Sequence, residues 1–492
     1  MYESAILNPK AHAGVALAIR DQTHDVNYIK LGSSHVGQDG FGQYEALEKA
    51  LFDLNYPIVT SAVLSPSEGG LFALHPGPSR MLPDTGTEGL QSAPNTWATG
   101  QSIGYAATTA ATATRAALSL LPSDLHKYYV RGWDGSIERN LGMLHLQPWI
   151  GSATRTNNGI GPVTSTAANV LKINGNLRGW VAHGDDPSIT GNVSLGWRQD
   201  SPIGQIKSKN IACGRATGLY LDFCDLLSSE FSGTLAARQF PNALRFQVSN
   251  TLGTLSRLNA LGAVIENLDE PWGMSAMPLI YYSGVGLRLF RQQFINAFDE
   301  SVSLCGVPAM KLKTETRVGK QKIFVVDITF GHNDRNDTTI SVDGVNNSNT
   351  PTGAIANLID LLEQVQTLWV AELGLSTNQI YFRVRVDTPA SFPDDSSLIA
   401  YRSALVAAIP ALTSLRAIVI DTMEIGSQAE FESWWKSAGV DQVHLNATGY
   451  YQIEYRITQG YSSAIINALS GGGGSRDRSR SRARSTNPQD YL

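Results

Sequence analysis

The chain has 492 residues, of which 42% are hydrophobic and 16% charged, and a formal net charge of −5 at pH 7. Such a composition describes a folded protein of two or three domains and excludes a disordered polyelectrolyte, while net acidity excludes a whole-chain nucleic-acid binder. Cys213, Cys224 and Cys305 form no C-x-x-C pair, so neither a disulfide framework nor a cysteine zinc site is expected.

No basic region followed by an apolar run opens the chain (Met1 to Lys10), so no secretory signal is expected. No window approaches the roughly 20 continuous apolar residues of a spanning helix. These features predict a soluble protein without membrane insertion.

In chain order, residues 26–34 read as a short strand ending in a tight turn. Phe41 to Leu54 follows as an amphipathic helix with Tyr44, Leu47, Leu51 and Leu54 on one stripe. Such a β-α unit carries ligands at the carboxyl end of its strand. From about residue 60 the texture changes: residues 61–104 are rich in Ser, Pro and Gly, and Ala106 to Leu121 in Ala and Thr. Residues 128–275 hold short segments of high β-propensity around 170–173, 177–181, 193–197 and 219–221. Turn signals at roughly 8–12-residue spacing predict a sandwich-like insertion there. Trp133, Trp149, Trp180 and Trp197 fall in this part. They read as core residues in preference to a sugar-stacking surface, because Trp is highly buried on average.

From residue 278 the α/β texture returns and holds to about 469. Strands are expected at 278–282, 322–330, 379–386 and 415–420, and helices at 289–298, 352–373, 398–409 and 431–437. The near-continuous apolar run at 322–330 suits a parallel strand buried on both faces. Strands alternating with helices predict a mostly parallel sheet. Residues 1–60 supply its missing first unit, so the organisation is 1–60 and 278–469 as one interrupted α/β domain, with 61–277 as a β-rich insertion. Residues 470–492 form a glycine linker and an Arg/Ser-rich tail bearing Arg476, Arg478, Arg480, Arg482 and Arg484. The tail reads either as a hook for an acidic or nucleic-acid partner or as a solvated, disordered end.

Three stretches of the α/β part end in polar groups. The first strand ends at Gly32-Ser33-Ser34-His35-Val36-Gly37, placing a serine hydroxyl at a strand-to-helix turn. The strand at 322–330 runs into Gly331-His332-Asn333-Asp334, which offers an Asn amide. Near the end, Asp441-Gln442-Val443-His444-Leu445-Asn446 sets a carboxylate three residues before an imidazole. A serine needs a base to become nucleophilic, a carboxylate can orient that base, and a tetrahedral oxyanion needs donors.

The order Ser, Asn, Asp, His in these local patterns resembles the SGNH (GDSL-like) hydrolases, a family of esterases, lipases and carbohydrate deacetylases. Its Gly-x-Asn-Asp block is matched in full by Gly331 to Asp334, and its Asp-x-x-His block by Asp441 to His444. The Gly-Asp-Ser block is matched in part, because Ser33 replaces its Asp. For the glycine block, Ser283-Gly284-Val285-Gly286 fits, with Gly286 favoured and Gly284 the runner-up. The resemblance covers about residues 26–60 and 278–469. It implies a three-layer α/β/α, flavodoxin-like domain. It also implies Ser34 as nucleophile, His444 as general base, Asp441 as its orienter, and an oxyanion hole of the Ser34 N–H, the Gly286 N–H and the Asn333 side chain. Ser33 takes the nucleophile's role if the turn is shifted by one residue. His35 and His332 flank the site and either line it or pack beside it.

The sequence therefore predicts an esterase that removes small acyl groups, acetyl foremost, from a carbohydrate or polysaccharide. Acyl transfer to a sugar would use the same triad. No cofactor and no metal are expected, since no metal-ligand spacing, phosphate loop or dinucleotide fingerprint is present. The rival expectation is a structural or attachment protein, for instance a bacteriophage virion component carrying the hydrolase domain. Expected partners are an acylated carbohydrate, other virion proteins or further copies of the chain, and an acidic or nucleic-acid partner for the tail. The expected location is cytoplasmic or virion-associated.

Overall fold

The computed structural model describes residues 2–33, 58–64, 81–83, 130–131, 138–139, 144–146, 157–162, most of 176–230, 244–250, 258–267, 274–282, 286–288, 321–336, 349–388, 395–437 and 441–470. The chain opens with β1 (Ile6–Leu7), α1 (Ala13–Asp21), β2 (His24–Ser33) and β3 (Ile58–Leu64). The middle holds β4 (Met81–Pro83), β5 (Val130–Arg131), β6 (Glu138–Arg139), β7 (Leu144–Leu146), β8 (Asn157–Pro162), β9 (Leu177–Asp185), β10 (Asn192–Asp200), β11 (Ile203–Ala212), β12 (Gly218–Leu226), β13 (Leu244–Asn250) and β14 (Leu258–Asn267). Then come β15 (Met274–Tyr282), β16 (Gln321–Phe330), α2 (Pro351–Leu373), β17 (Ile380–Val386), α3 (Asp395–Ala408) and β18 (Ala417–Ile420). The last described elements are α4 (Gln428–Ser433), β19 (Trp435–Ser437), β20 (Asp441–Leu445) and α5 (Ala447–Leu469).

The main sheet runs β1-β18-β17-β16-β2-β15-β3-β14-β9-β12, with β7 paired to β14. From β18 through β3 every neighbouring pair is parallel. Antiparallel strands join at both ends, β1 against β18 and β14 against β3. The α/β character expected from alternating strands and helices is therefore present, with a mostly parallel centre. A second, antiparallel sheet runs β11-β10-β13-β8-β4. Trp197 on β10 is fully buried, and its indole N–H donates to the Cys224 carbonyl of β12 at 2.9 Å. That tryptophan is core, as the residue's size favours. Trp133, Trp149 and the Trp180 side chain lie outside the described residues, as do the expected helices at 41–54 and 289–298, and the tail.

Capping residues mark the ends of α2 and the start of α4. Thr350 caps α2 by accepting from the Gly353 N–H at 3.1 Å, Pro351 takes the first turn, and Gly374 ends the helix at φ 66°. Ser427 and Glu430 close a capping box on α4. That box starts the helix earlier than expected, and the helix ends at Ser433. Trp435 to Ser437, expected as its last turn, instead pair with β20.

The two faces of the parallel strands differ. Phe324 and Phe330 of β16 pack on Trp369 of α2 and Tyr401 of α3, with ring centroids 5.6 and 6.4 Å apart. By strand alternation, Asp327 and Thr329 point the other way, toward α1 and α5. The expectation that this run is buried on both faces is met, but one of those faces is charged. Arg383 of β17 donates to Asp327 at 2.5 Å and to Glu454 of α5 at 3.4 Å. Arg385 donates to Thr329 at 2.7 Å and to Glu454 at 3.3 Å. Burial by itself would lower the Arg383 pKa, but attraction to Asp327 and Glu454 outweighs it and carries the group above the ordinary guanidinium value. Arg383 Nε and Nη1 have no hydrogen-bond partner among the described residues. Its guanidinium carbon lies 4.9 Å from the Tyr461 ring centroid and 5.3 Å from that of Tyr28, so the π faces take up the charge that hydrogen bonds do not.

His12, just before α1, closes this layer. Its Nε2 lies 3.1 and 3.2 Å from the Phe382 and Arg416 carbonyl oxygens, and its Nδ1 lies 2.7 Å from the Tyr461 hydroxyl. Carbonyls only accept, so Nε2 carries the hydrogen and Nδ1 accepts from Tyr461. Burial, chiefly, lowers the ring's pKa from 6.5 to about 3.

Candidate functional site

Register brings the strand ends together. Ser33, the last residue of β2, lies opposite Tyr282 of β15, and Phe330 of β16 lies opposite Val386 of β17. In sheet order β15 and β3 lie on one side of β2, and β16, β17 and β18 on the other. The chain thus switches direction at the β2/β16 boundary, where ligands of open α/β sheets bind.

After β16 the chain turns at Gly331, whose φ of 124° suits a residue without a side chain. The next three residues form the turn. The Asp334 carboxylate folds back to accept the Gly331 N–H at 2.9 Å and, from its other oxygen, the Leu287 N–H at 2.6 Å. One side chain thereby ties the turn after β16 to the segment after β15, across 47 residues of sequence. The approach is close. A Cβ placed on Gly286 would lie 3.0 Å from Asp334 Oδ1 and 3.3 Å from its Cα, so a side chain at 286 would push the two loops apart. From the next strand, Asp387 accepts the His332 N–H at 2.9 Å, while its own N–H donates to the Phe330 carbonyl at 2.6 Å. Gly331, His332 and Asp334 are buried, whereas Asn333 between them is half-buried.

The last stretch approaches the same edge. β19 and β20 form a two-stranded antiparallel pair, Asn446 N–H donates to the Trp434 carbonyl at 2.7 Å, and the Asn446 side chain caps α5 through the Gly449 N–H at 2.9 Å. Tyr450, in the first turn of α5, lines a cavity of about 30 Å³ together with Thr329, Val386, Asp387, Thr388 and Thr422. His444 on β20 is half-buried.

Gly286 and the Asn333 turn are thus brought into contact through Asp334. Ser34, Gly284 and His35 lie outside the described residues, as do the side chains of Ser33 and Asp441, whose backbones end β2 and begin β20. Sequence reasoning missed Asp387 and the charged layer of Asp327, Arg383, Arg385 and Glu454. The available signals were a lone Asp in an apolar run and two arginines alternating along a buried strand. Among the described residues no group of His, Cys, Asp and Glu is arranged to hold a metal ion, and no helix is long and apolar enough to cross a membrane.

No family model matches the sequence, and no curated protein matches it. Among solved structures, the chain aligns with the crystal structure of the N-terminal endo-1,4-beta-D-xylanase 10B CBM22-1-GH10 modules of Clostridium thermocellum, complexed with xylohexaose. The alignment has 11% identity and a TM-score of 0.18, and it covers 53% of this chain and 42% of the xylanase chain. A likeness of that size carries no argument about fold or function.

Proposed function

We propose that this chain is a serine esterase of the SGNH type, built on a three-layer α/β/α, flavodoxin-like domain, that removes small acyl groups from a carbohydrate or polysaccharide. The observation that carries the reading is the Asp334 carboxylate, which joins the Gly286–Leu287 segment to the Gly331–Asn333 turn at the switch point beside the end of β2. Two sequence blocks that resemble the family separately are thereby in contact. Numbered along the chain, the six parallel strands β3-β15-β2-β16-β17-β18 run 2-3-1-4-5-6, which is the flavodoxin-like order 2-1-3-4-5 with one further parallel strand, β3, beyond β15.

In this reading Ser34, one residue beyond β2, attacks the ester carbonyl. His444 takes the serine proton and returns it to the leaving alcohol, and Asp441 holds the ring in its working tautomer. The Leu287 N–H is committed to Asp334, so the neighbouring Gly286 N–H is the donor assigned to the oxyanion, with the Ser34 N–H and the Asn333 amide. The carbohydrate assignment rests on the long β-rich segment between β3 and β15. Trp197 contributes nothing to it, being buried and hydrogen-bonded.

Hydrolysis of p-nitrophenyl acetate by the wild type, Ser34→Ala and Ser33→Ala tests the reading. The expected result is turnover by the wild type and Ser33→Ala, and at least about a thousandfold loss in Ser34→Ala. Loss in Ser33→Ala alone would move the nucleophile by one residue. No turnover by the wild type would contradict the esterase reading and leave attachment or assembly as the role.

A further inference from the structure

Asp387 follows β17 and is 2% exposed. Oδ2 accepts the His332 N–H, while Oδ1 is buried and has no hydrogen-bond partner among the described residues. Buried carboxylates that serve only as structural acceptors normally have both oxygens satisfied. Here one oxygen holds a single peptide N–H, and that peptide belongs to the residue immediately before Asn333.

The turn is gripped from two sides. Asp334 fixes the Gly331 N–H from within, and Asp387 fixes the His332 N–H from the adjacent strand, 55 residues away in sequence. Both grips are charge-assisted bonds to backbone donors, which are shorter and stronger than neutral ones. The Asp387 N–H also bonds the Phe330 carbonyl, so the aspartate spans the turn's entry from both ends of its own residue. With 331 and 332 both fixed, the backbone leading into Asn333 has little freedom left. Asn333 is the one residue of the four that is not fully buried.

We infer that Asp387 is a positioning residue for Asn333, fixing the turn through the His332 N–H so that the Asn333 amide is set in place before substrate arrives. The inference rests on the esterase reading, in which that amide is an oxyanion donor. An oxyanion donor acts only when preorganised, and a misplacement of about 1 Å can cost on the order of a hundredfold in rate.

The test is a kinetic cycle on the full chain with p-nitrophenyl acetate: wild type, Asp387→Ala, Asn333→Ala, the double variant and Ser34→Ala. Asp387→Ala is expected to lower kcat by about 10- to 100-fold with KM changed less than about threefold, because only the transition state is affected. In the Asn333→Ala background it should cost nothing further, since it acts through that amide. Asp387→Asn, which keeps the acceptor, should restore kcat to within about threefold of wild type. Unchanged kcat in Asp387→Ala, or a loss that adds in full to that of Asn333→Ala, would overturn the inference while leaving the esterase reading intact. A wild type without turnover, or Ser34→Ala with full turnover, would overturn both. Should Asp387→Ala lose its near-ultraviolet circular dichroism, Asp387→Glu decides. Its longer stem should lower kcat where Asn does not, and wild-type kcat in Asp387→Glu would sink the idea.

Discussion

Along β16, Phe324, Val326, Ile328 and Phe330 face α2 and α3, while Asp327 and Thr329 face α5, and all but Thr329 are buried. On the first side lies α2, whose Leu358, Leu361, Leu362 and Val365 are buried and whose Trp369 packs on Phe324, and stabilisation comes from apolar area removed from water. On the second it meets two guanidiniums and a carboxylate, with Asp327, Arg383, Arg385 and Glu454 balancing in charge. An apolar face loses stability in proportion to what is cut away. A closed set of buried charges behaves differently, because removing one member leaves its partners buried and uncompensated. The charged face also runs up to the candidate site: Arg385 and Glu454 line the same small cavity as Asp387 and Tyr450.

Substitution on each face sharpens the contrast. Arg383→Leu should destabilise by about 3–5 kcal/mol at pH 7, since Asp327 and Glu454 keep only Arg385 between them. Leu361→Ala on the apolar face should cost about 2–5 kcal/mol through lost transfer energy and a cavity. The two differ in pH dependence. In urea unfolding at pH 7 and pH 5, the gap to wild type should narrow at low pH for Arg383→Leu, because its stranded carboxylates can take up protons, and stay constant for Leu361→Ala. Equal gaps at both pH values for both variants would break the comparison.

A smaller effect belongs to His12. The folded ring has a pKa of about 3 against 6.5 in the unfolded chain, so between these values the unfolded state binds the extra proton. Its contribution is therefore complete above about pH 6.5 and declines as pH falls toward 3. At pH 5 about 2 kcal/mol is lost by this route. His12→Gln should remove that part of the pH slope, as measured by urea unfolding of both proteins. An identical slope in the variant would show that other groups carry it.

What could be read from the sequence was what repeats locally. β16, β17 and α2 announce themselves by apolar runs and by Thr350, Pro351 and Gly374, and the observed bounds fall within a residue of those expected. The turn after β16 was also legible, because Gly331, Asn333 and Asp334 sit side by side. Pairings between distant residues were not. Asp327 meets Arg383 across 56 residues, and Asp387 meets His332 across 55, so no local window holds both partners. The helix expected to run to Ser437 ends earlier because Trp435 pairs with Leu445, a tertiary contact that overrides local propensity. α1 was not foreseen: its nine residues carry alanines and a glycine, and its burial against α5 depends on the rest of the fold.

The most direct test of the central claim is to treat the full chain with a fluorophosphonate, which forms a covalent adduct with an activated serine, and map the adduct by tandem mass spectrometry. The account predicts one modified peptide, carrying the adduct on Ser34, with labelling abolished in Ser34→Ala and strongly slowed in His444→Ala. An adduct on any other residue, or none in the wild type, would contradict it.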